Sequence, residues 1–175
     1  GRVTDTQDVS GIILKEGDTS ALDEATVRNA IYSFLGDYMQ VPPMYSALKV
    51  NGKKLYELAR AGKEVQREAR PVTIYGLEIL EQQSDTDYLI RVRCSKGTYV
   101  RTLCHDIGQA LGCGACMTAL RRIQAGDYTI GQSIPLDKLI SREKPEELLL
   151  PVDSLFAHVP KLTLSPAQEK CCRNG

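Results

Sequence analysis

The sequence predicts an α+β fold, a mixed but largely antiparallel sheet flanked by helices. Three observations predict it. "ARPVTIYGLEILEQQ" and "YLIRVRCS" alternate apolar and polar residues on either side of the turn string "SDTD", the pattern of a β-hairpin. Val27, Ala30, Ile31, Phe34 and Leu35 recur at helical spacing, and so do Val100, Leu103, Cys104, Ile107 and Leu111. Strands and helices are interspersed without the regular alternation that builds a parallel sheet.

Each element follows from local chemistry. "GRVTDTQDVSGIIL" passes from polar, turn-forming residues into an apolar strand, with Asp8-Val9-Ser10-Gly11 as turn material. Ser20, with Asp23 three residues on, is expected to cap a helix that runs to Gly36. "QVPPMYSALKVNGKKLYELARAG" predicts an extended Pro-Pro segment, a tight turn at Asn51-Gly52 and a short helix from Lys54. That helix buries Leu55, Leu58 and Ala59, and Gly62 closes it. The long hairpin comes next, then an amphipathic helix between Gly97 and Gly112. "MTALRRIQAGDYTI" has strand character broken at Ala125-Gly126. Short helices are expected near 137–140 and 145–150, and the tail "LTLSPAQEKCCRNG" stops on turn residues.

A chain of 175 residues suits one domain, or one and a fragment, and can bury a sizeable core. No apolar run approaches the ~20 residues of a membrane helix. A soluble, cytoplasmic protein with six reduced cysteines is therefore expected. The formal net charge is zero but unevenly spread. Residues 1–40 hold three bases against seven acids, residues 49–70 seven against three, and residues 91–122 six against one. The two basic blocks could together contact a phosphate backbone, or form a solvated surface of mixed charge.

Several groups could carry chemistry. Cys113 and Cys116 have the spacing of half a zinc site, but no second pair follows, so they read as buried thiols. Cys104 and His105 are adjacent, so on a helix they point about 100° apart. Cys104 then belongs to the core, His105 is a surface histidine or, with an ordinary pKa near neutrality, a general base, and Asp106 serves the surface or a local cap rather than an active site. The remaining cluster is "CSKGTYVR". Gly97 permits an unusual backbone angle at a strand end, and Tyr99 and Arg101 fall in the first turn of the next helix. The helix dipole favours acids there, so Arg101 either faces solvent or answers a carboxylate or phosphate. Tyr45, held by the stiff Pro42-Pro43 backbone, suits stacking on a base or a place in the core. Arg121 and Arg122 point opposite ways on a strand, so at most one enters a given site.

"VPPMYSALKVNGKKLYELARAGKEVQREARPVTIY", "CSKGTYVRTLCHDIGQALG" and "LRRIQAGDY" resemble, in order and spacing, the bacterial tRNA pseudouridine synthases of the TruB family. "TDTQDVSG" is similar to that family's TDT-x-D-x-x-G stretch. The resemblance covers residues 1 to about 155. It implies an enzyme that flips one T-loop uridine out of tRNA, breaks its glycosidic bond and reattaches the uracil through C5, without cofactor or metal. It implies that Arg101 pairs with the catalytic aspartate and that Tyr99 and Leu120 line the uracil pocket. Lys96, Tyr45, Lys49, Lys53 and Lys54 are implied as structural or RNA-contact positions.

The family's nucleophilic aspartate lies in a Gly-His-Thr-Gly-x-Leu-Asp-Pro-like loop upstream of TDT, and no such string occurs here. "IPLDKL" around Asp137 shares only its Leu-Asp pair. A second active-site tyrosine, in a Lys-x-Tyr strand, is also unmatched. The resemblance therefore implies an incomplete pseudouridine synthase catalytic domain over residues 1–155. Residues 156–175 would be the first strand and turn of a truncated PUA-like RNA-binding module. The parent protein is expected to bind the T-arm of tRNA, to be monomeric, and to need neither membrane nor metal. The chain alone is expected to be inactive, because Asp5, Asp8, Asp106 and Asp127 do not match the nucleophile. It is also expected to be less stable than its parent or to self-associate. The alternative is a non-catalytic RNA-binding module or scaffold.

Overall fold

The computed structural model describes residues 1–50 and 52–174. The chain divides into two compact units, Gly1–Arg121 and Arg122–Gly175.

In the first unit, β1 (Arg2–Thr4) and β2 (Ile13–Glu16) pair antiparallel, as the opening hairpin pattern predicts. Next come α1 (Glu24–Tyr32), β3 (Gly36–Gln40), β4 (Lys49–Val50), β5 (Lys53–Lys54) and α2 (Leu55–Arg60). The long hairpin is β6 (Arg70–Gln82) with β7 (Tyr88–Cys94), and α3 (Val100–Ala110) follows. The expected single mixed sheet resolves instead into small antiparallel ones: β1-β2, β3-β6-β7 and β4-β5. Among the described residues of this unit the one parallel pairing is an isolated bridge between Asp8 and Met117.

The cap of α1 differs from expectation. Asp23, not Ser20, is the N-cap, and its carboxylate accepts from the Thr26 amide at 2.7 Å. The helix also stops at Tyr32, and Gly36, with φ +99°, opens a strand rather than closing a helix. The Asn51-Gly52 turn falls partly outside the described residues; Gly52 has φ +80° and β4 pairs with β5 as a short hairpin would. Leu55 is buried, with Leu58 and Ala59 half-buried, and Gly62 has φ +68° just beyond α2.

A bulge phases the core. The β6–β7 register slips between Ile74 and Gly76, leaving Tyr75 as the extra residue. That slip sets Leu77 in phase with Val72 and Ile74, so all three are buried although strict alternation would turn Leu77 outward. Val27 and Ile31 of α1 and Leu103 and Ile107 of α3 pack with Ile74 and Leu77 as one core. Burying a side chain such as Leu103, fully enclosed, contributes about 1.5–3 kcal/mol. Gly108 brings α3 against the following segment: a Cβ there would overlap the backbone of Gly114 and Ala115.

The second unit holds a two-stranded sheet, β8 (Gln124–Ala125) with β9 (Tyr128–Thr129), turned through Gly126 at φ +58°. The helix α4 (Leu136–Ile140), 3-10 turns at Pro145–Leu148 and Val152–Phe156, and α5 (Pro166–Asn174) follow. The tail is therefore helical where a strand and turn were expected. Gln168 reaches back over the first turn of α5, its side-chain oxygen accepting from the Ser165 amide at 2.9 Å and the Ser165 hydroxyl at 3.0 Å, and Pro166 begins the helix with φ already suited to it. Among the described residues no helix is long and apolar enough to cross a membrane. All six cysteines are free.

Candidate active site

Lys96, Tyr99 and Arg101 lie at the junction of β7 and α3. Ser95 to Thr98 form a tight turn in which Thr98 donates its hydroxyl to the Ser95 carbonyl at 2.9 Å. Gly97 takes φ +90°, the angle that the third position of a type II turn demands. The Ser95 hydroxyl accepts from the Thr73 amide at 3.0 Å, which fastens the turn to β6. Lys96 sits at the tip, exposed.

Tyr99 is the N-cap of α3 but supplies no side-chain cap, so its ring is free for another purpose. What fixes Tyr99 is Gln40, at the end of β3 and only 1% exposed. The Gln40 carboxamide accepts from the Tyr99 amide at 2.8 Å and donates to the Tyr99 carbonyl at 3.1 Å. A backbone N–H can only donate, so this pairing fixes which end of the carboxamide is oxygen. The same amide nitrogen also meets the Tyr38 hydroxyl. Burial, reinforced by the Asp106 carboxylate, pushes the Tyr38 phenol well above its ordinary range. Tyr38 therefore stays neutral.

Arg101 occupies the second position of α3, half-buried, with no acid in that first turn. Among the described residues it forms no ion pair. Its field does reach Asp8. The Ser10 amide and hydroxyl, with a smaller contribution from Arg101, hold the Asp8 carboxyl below the usual carboxylate range. Asp8 sits in a tightly bonded loop. Its backbone carbonyl accepts from the Thr4 hydroxyl at 2.7 Å, and its carboxylate from the Ser10 hydroxyl at 2.8 Å. Gly11 lies so close to Asp5 and Thr6 that a side chain there would overlap both.

Gln7 docks this loop on α3. It takes φ +62°, the one non-glycine residue with positive φ among those described, and its side-chain oxygen accepts from the buried Thr102 hydroxyl at 2.7 Å. On the loop's other side, Met117 donates to the Gln7 carbonyl at 3.0 Å and accepts from the Val9 amide at 2.8 Å. Leu120, three residues beyond, is 59% exposed. Tyr45 is half-buried in the segment leaving Gln40. Arg67 donates to the Pro42 carbonyl at 3.2 Å and Tyr56 to the Ser46 carbonyl at 3.1 Å, fixing that segment on both sides of Tyr45. Hydrogen bonds from the Gln40, Arg67 and Thr102 side chains thus tie down the segments bearing Tyr99, Tyr45, Arg101 and Asp8, whereas Lys96 and Leu120 are exposed.

Three expectations need correction. His105 is not a surface histidine: it is half-buried, its Nδ1 has no hydrogen-bond partner, and burial lowers its pKa. Asp106 is half-buried as well, and burial pushes its carboxyl up to about 6. Cys104 is half-buried and lies outside the buried cluster rather than in it, and burial pushes its thiol up to about 11. The sequence reading missed Gln40, Gln7 and Thr102. Gln40 alone left a signal, a polar residue between Met39 and Val41 just before two prolines.

With this geometry in view, comparison with known proteins is informative. Residues 1–100 match the model of the TruB family pseudouridylate synthase N-terminal domain, and residues 101–157 that of the tRNA pseudouridylate synthase B C-terminal domain. Across its whole length the chain is 46% identical to tRNA pseudouridine synthase B of Alkaliphilus oremlandii, covering 58% of that protein. It is 49% identical to the Clostridium novyi protein of the same name, covering 60%, and 47% identical to one from Clostridium perfringens, covering 59%. The chain thus spans about three fifths of the curated relatives it matches. In the crystal structure of a Cbf5-Nop10-Gar1 complex, one chain superposes with a TM-score of 0.57 at 32% identity, over 74% of this chain and 33% of that one. Motif, fold and relatives agree: the chain belongs to the TruB family of pseudouridylate synthases.

Proposed function

We propose that this chain supplies the Tyr99–Arg101 side of a tRNA pseudouridine synthase site that acts on a T-loop uridine. The observation that carries the reading is Arg101, a half-buried cation at the positive end of α3. Such a cation is disfavoured by the helix dipole unless an anion faces it. In this reading the anion is the nucleophilic aspartate, carried by polypeptide that the relatives have and these 175 residues do not match. Tyr99 and Leu120 receive the flipped uracil, and Tyr45, Lys96 and the Lys49, Lys53 and Lys54 stretch contact the RNA. The C1′–N1 bond breaks and a C1′–C5 bond forms, while C5 releases its hydrogen as a proton and N1 takes one up. In the same reading residues 1–155 belong to the catalytic domain and 156–175 open an RNA-binding module.

The test is tritium release from T-arm RNA labelled at uridine C5. The chain alone should release none. A chimera in which it replaces the matching segment of the Clostridium perfringens relative should release it. Arg101→Lys in that chimera should slow release about 10- to 100-fold, from the ~1.5–3 kcal/mol of a hydrogen bond to a charged group. Release by the chain alone, abolished by changing Asp5, Asp8, Asp106 or Asp127 to Asn, would refute this reading and move the nucleophile into these residues. A chimera that binds T-arm RNA yet releases nothing would favour the non-catalytic RNA-binding module.

A further inference from the structure

We propose that Gln40 is a positioning residue that locks the RNA-contacting segment 41–45 to the uracil pocket, so that Tyr45 and Tyr99 act as one rigid unit. The inference rests on the functional reading above and extends it to a residue that touches no substrate. Three facts carry it. Gln40 is buried, yet its carboxamide turns away from its own strand's ladder to take both backbone polar groups of Tyr99. The two residues lie 59 positions apart, so the pairing is tertiary rather than a local turn. And Gln40 directly precedes Val41-Pro42-Pro43, whose proline rings fix φ and pass the orientation on to Met44 and Tyr45 with little slack.

The side chain suits the task for a definite reason. The Tyr99 amide precedes the helix and needs an acceptor, while its carbonyl, which already accepts from the Leu103 amide at 3.0 Å, has a second lone pair open to a donor in the same plane. A carboxamide presents both. An ionised carboxylate offers only acceptors and would face the Tyr99 carbonyl oxygen. A protonated carboxylic acid restores one of each. Gln40→Glu therefore gives a pH-dependent clamp, whereas Gln40→Met keeps the volume and gives none.

The experiment uses the chimera defined above, with this chain in it unaltered or carrying a Gln40 change, and a T-arm stem-loop RNA carrying 4-thiouridine at the target position. Overall affinity is read by anisotropy, and the photo-crosslink to Tyr99 by mass spectrometry. The unaltered chain should crosslink at Tyr99. Gln40→Met should bind within about threefold but lose at least about tenfold of that crosslink, as expected for a roughly 1 Å misplacement of a positioned group. Relative to the unaltered chain, whose own profile carries the titration of Asp106 near Tyr38, Gln40→Glu should lose it at pH 8 and regain it at pH 5. The regain is the decisive readout, because a variant that had merely unfolded would not recover on acidification. Full crosslinking by Gln40→Met, or a Gln40→Glu profile parallel to the unaltered chain, overturns the proposal alone. No binding, or no Tyr99 crosslink by the unaltered chain, overturns the functional reading and this proposal with it.

Discussion

Replacing Thr102 with Val tests how the Asp8 loop is attached to α3. Thr102 is 2% exposed and donates its hydroxyl to the Gln7 side-chain oxygen at 2.7 Å. Valine keeps the shape and the branching at Cβ, so packing changes little. What is lost is one hydrogen bond, and what is left is a Gln7 oxygen without its donor. An ordinary hydrogen bond contributes about 0.5–1.5 kcal/mol net, and a fully buried orphaned partner costs about 1–3 kcal/mol. Gln7 is only half-buried, so water reaches part of it and the expected loss is about 1–2 kcal/mol. For a chain of this size that corresponds to a Tm lower by about 2–8 °C. The assay is thermal unfolding by circular dichroism on Thr102→Val, Gln7→Gly and the double variant. Gln7→Gly removes the same bond and orphans the Thr102 hydroxyl, 2% exposed, at about 1–3 kcal/mol, which relief of the positive φ offsets by about 1 kcal/mol. The double variant should fall short of the sum by about 0.5–1.5 kcal/mol, the coupling of one bond. Strict additivity, or a Thr102→Val protein as stable as the original, would refute the reasoning.

Two other outcomes follow from the same region. Gly97→Ala places a side chain at φ +90° where no neighbouring atom obstructs it, so the cost is backbone strain alone, about 1–2 kcal/mol, read as a lower urea midpoint with unchanged m-value. An unchanged midpoint would mean the turn relaxes. Asp106 has its folded carboxyl raised above the unfolded 3.8 to about 6. The protonated form is thus favoured by folding, and stability from it is present below pH 3.8 and declines as pH rises through about 6. Asp106→Asn should therefore gain on the original chain between pH 4 and pH 7 in chemical denaturation. A constant difference across that range would exclude the effect.

Much of the fold was legible because its signals are local. The β6–β7 hairpin announces itself through alternation around "SDTD", and α3 through a stripe of apolar residues between two glycines at positive φ, Gly97 and Gly112. β3 was not legible, since five residues beginning with glycine and aspartate carry no pattern until β6 pairs with them, the Thr73 hydroxyl donating to the Asp37 carboxylate at 2.6 Å. The cap of α1 was misplaced because Ser20 and Asp23 are both good caps, and it is the Asp23 carboxylate that takes the Thr26 amide. The helix of the tail was written in Ser165-Pro166 with Gln168, a cap signal that lay within reach. Of the site, Tyr99 and Arg101 stood out as chemistry out of place. Gln40, Gln7 and Thr102 did not, because a polar residue whose partner lies elsewhere in the chain has no local signature.

The lone parallel bridge between Asp8 and Met117 has a kinetic consequence. The Thr102–Gln7 bond spans 95 positions, and the Asp8–Met117 bridge spans more. Closing so long a loop costs chain entropy that two or three hydrogen bonds barely offset. The β6–β7 hairpin and α3, built on short separations, condense first, and the loop bearing Asp8 is fastened onto a finished surface. Reversed, the same order governs opening: in amide exchange the protons of Gln7, Val9 and Met117 should be released well before those of Leu103 and Ile107. The Asp8 carboxylate, which feels the Arg101 charge, is then held by the part of the chain expected to assemble last and to come away first.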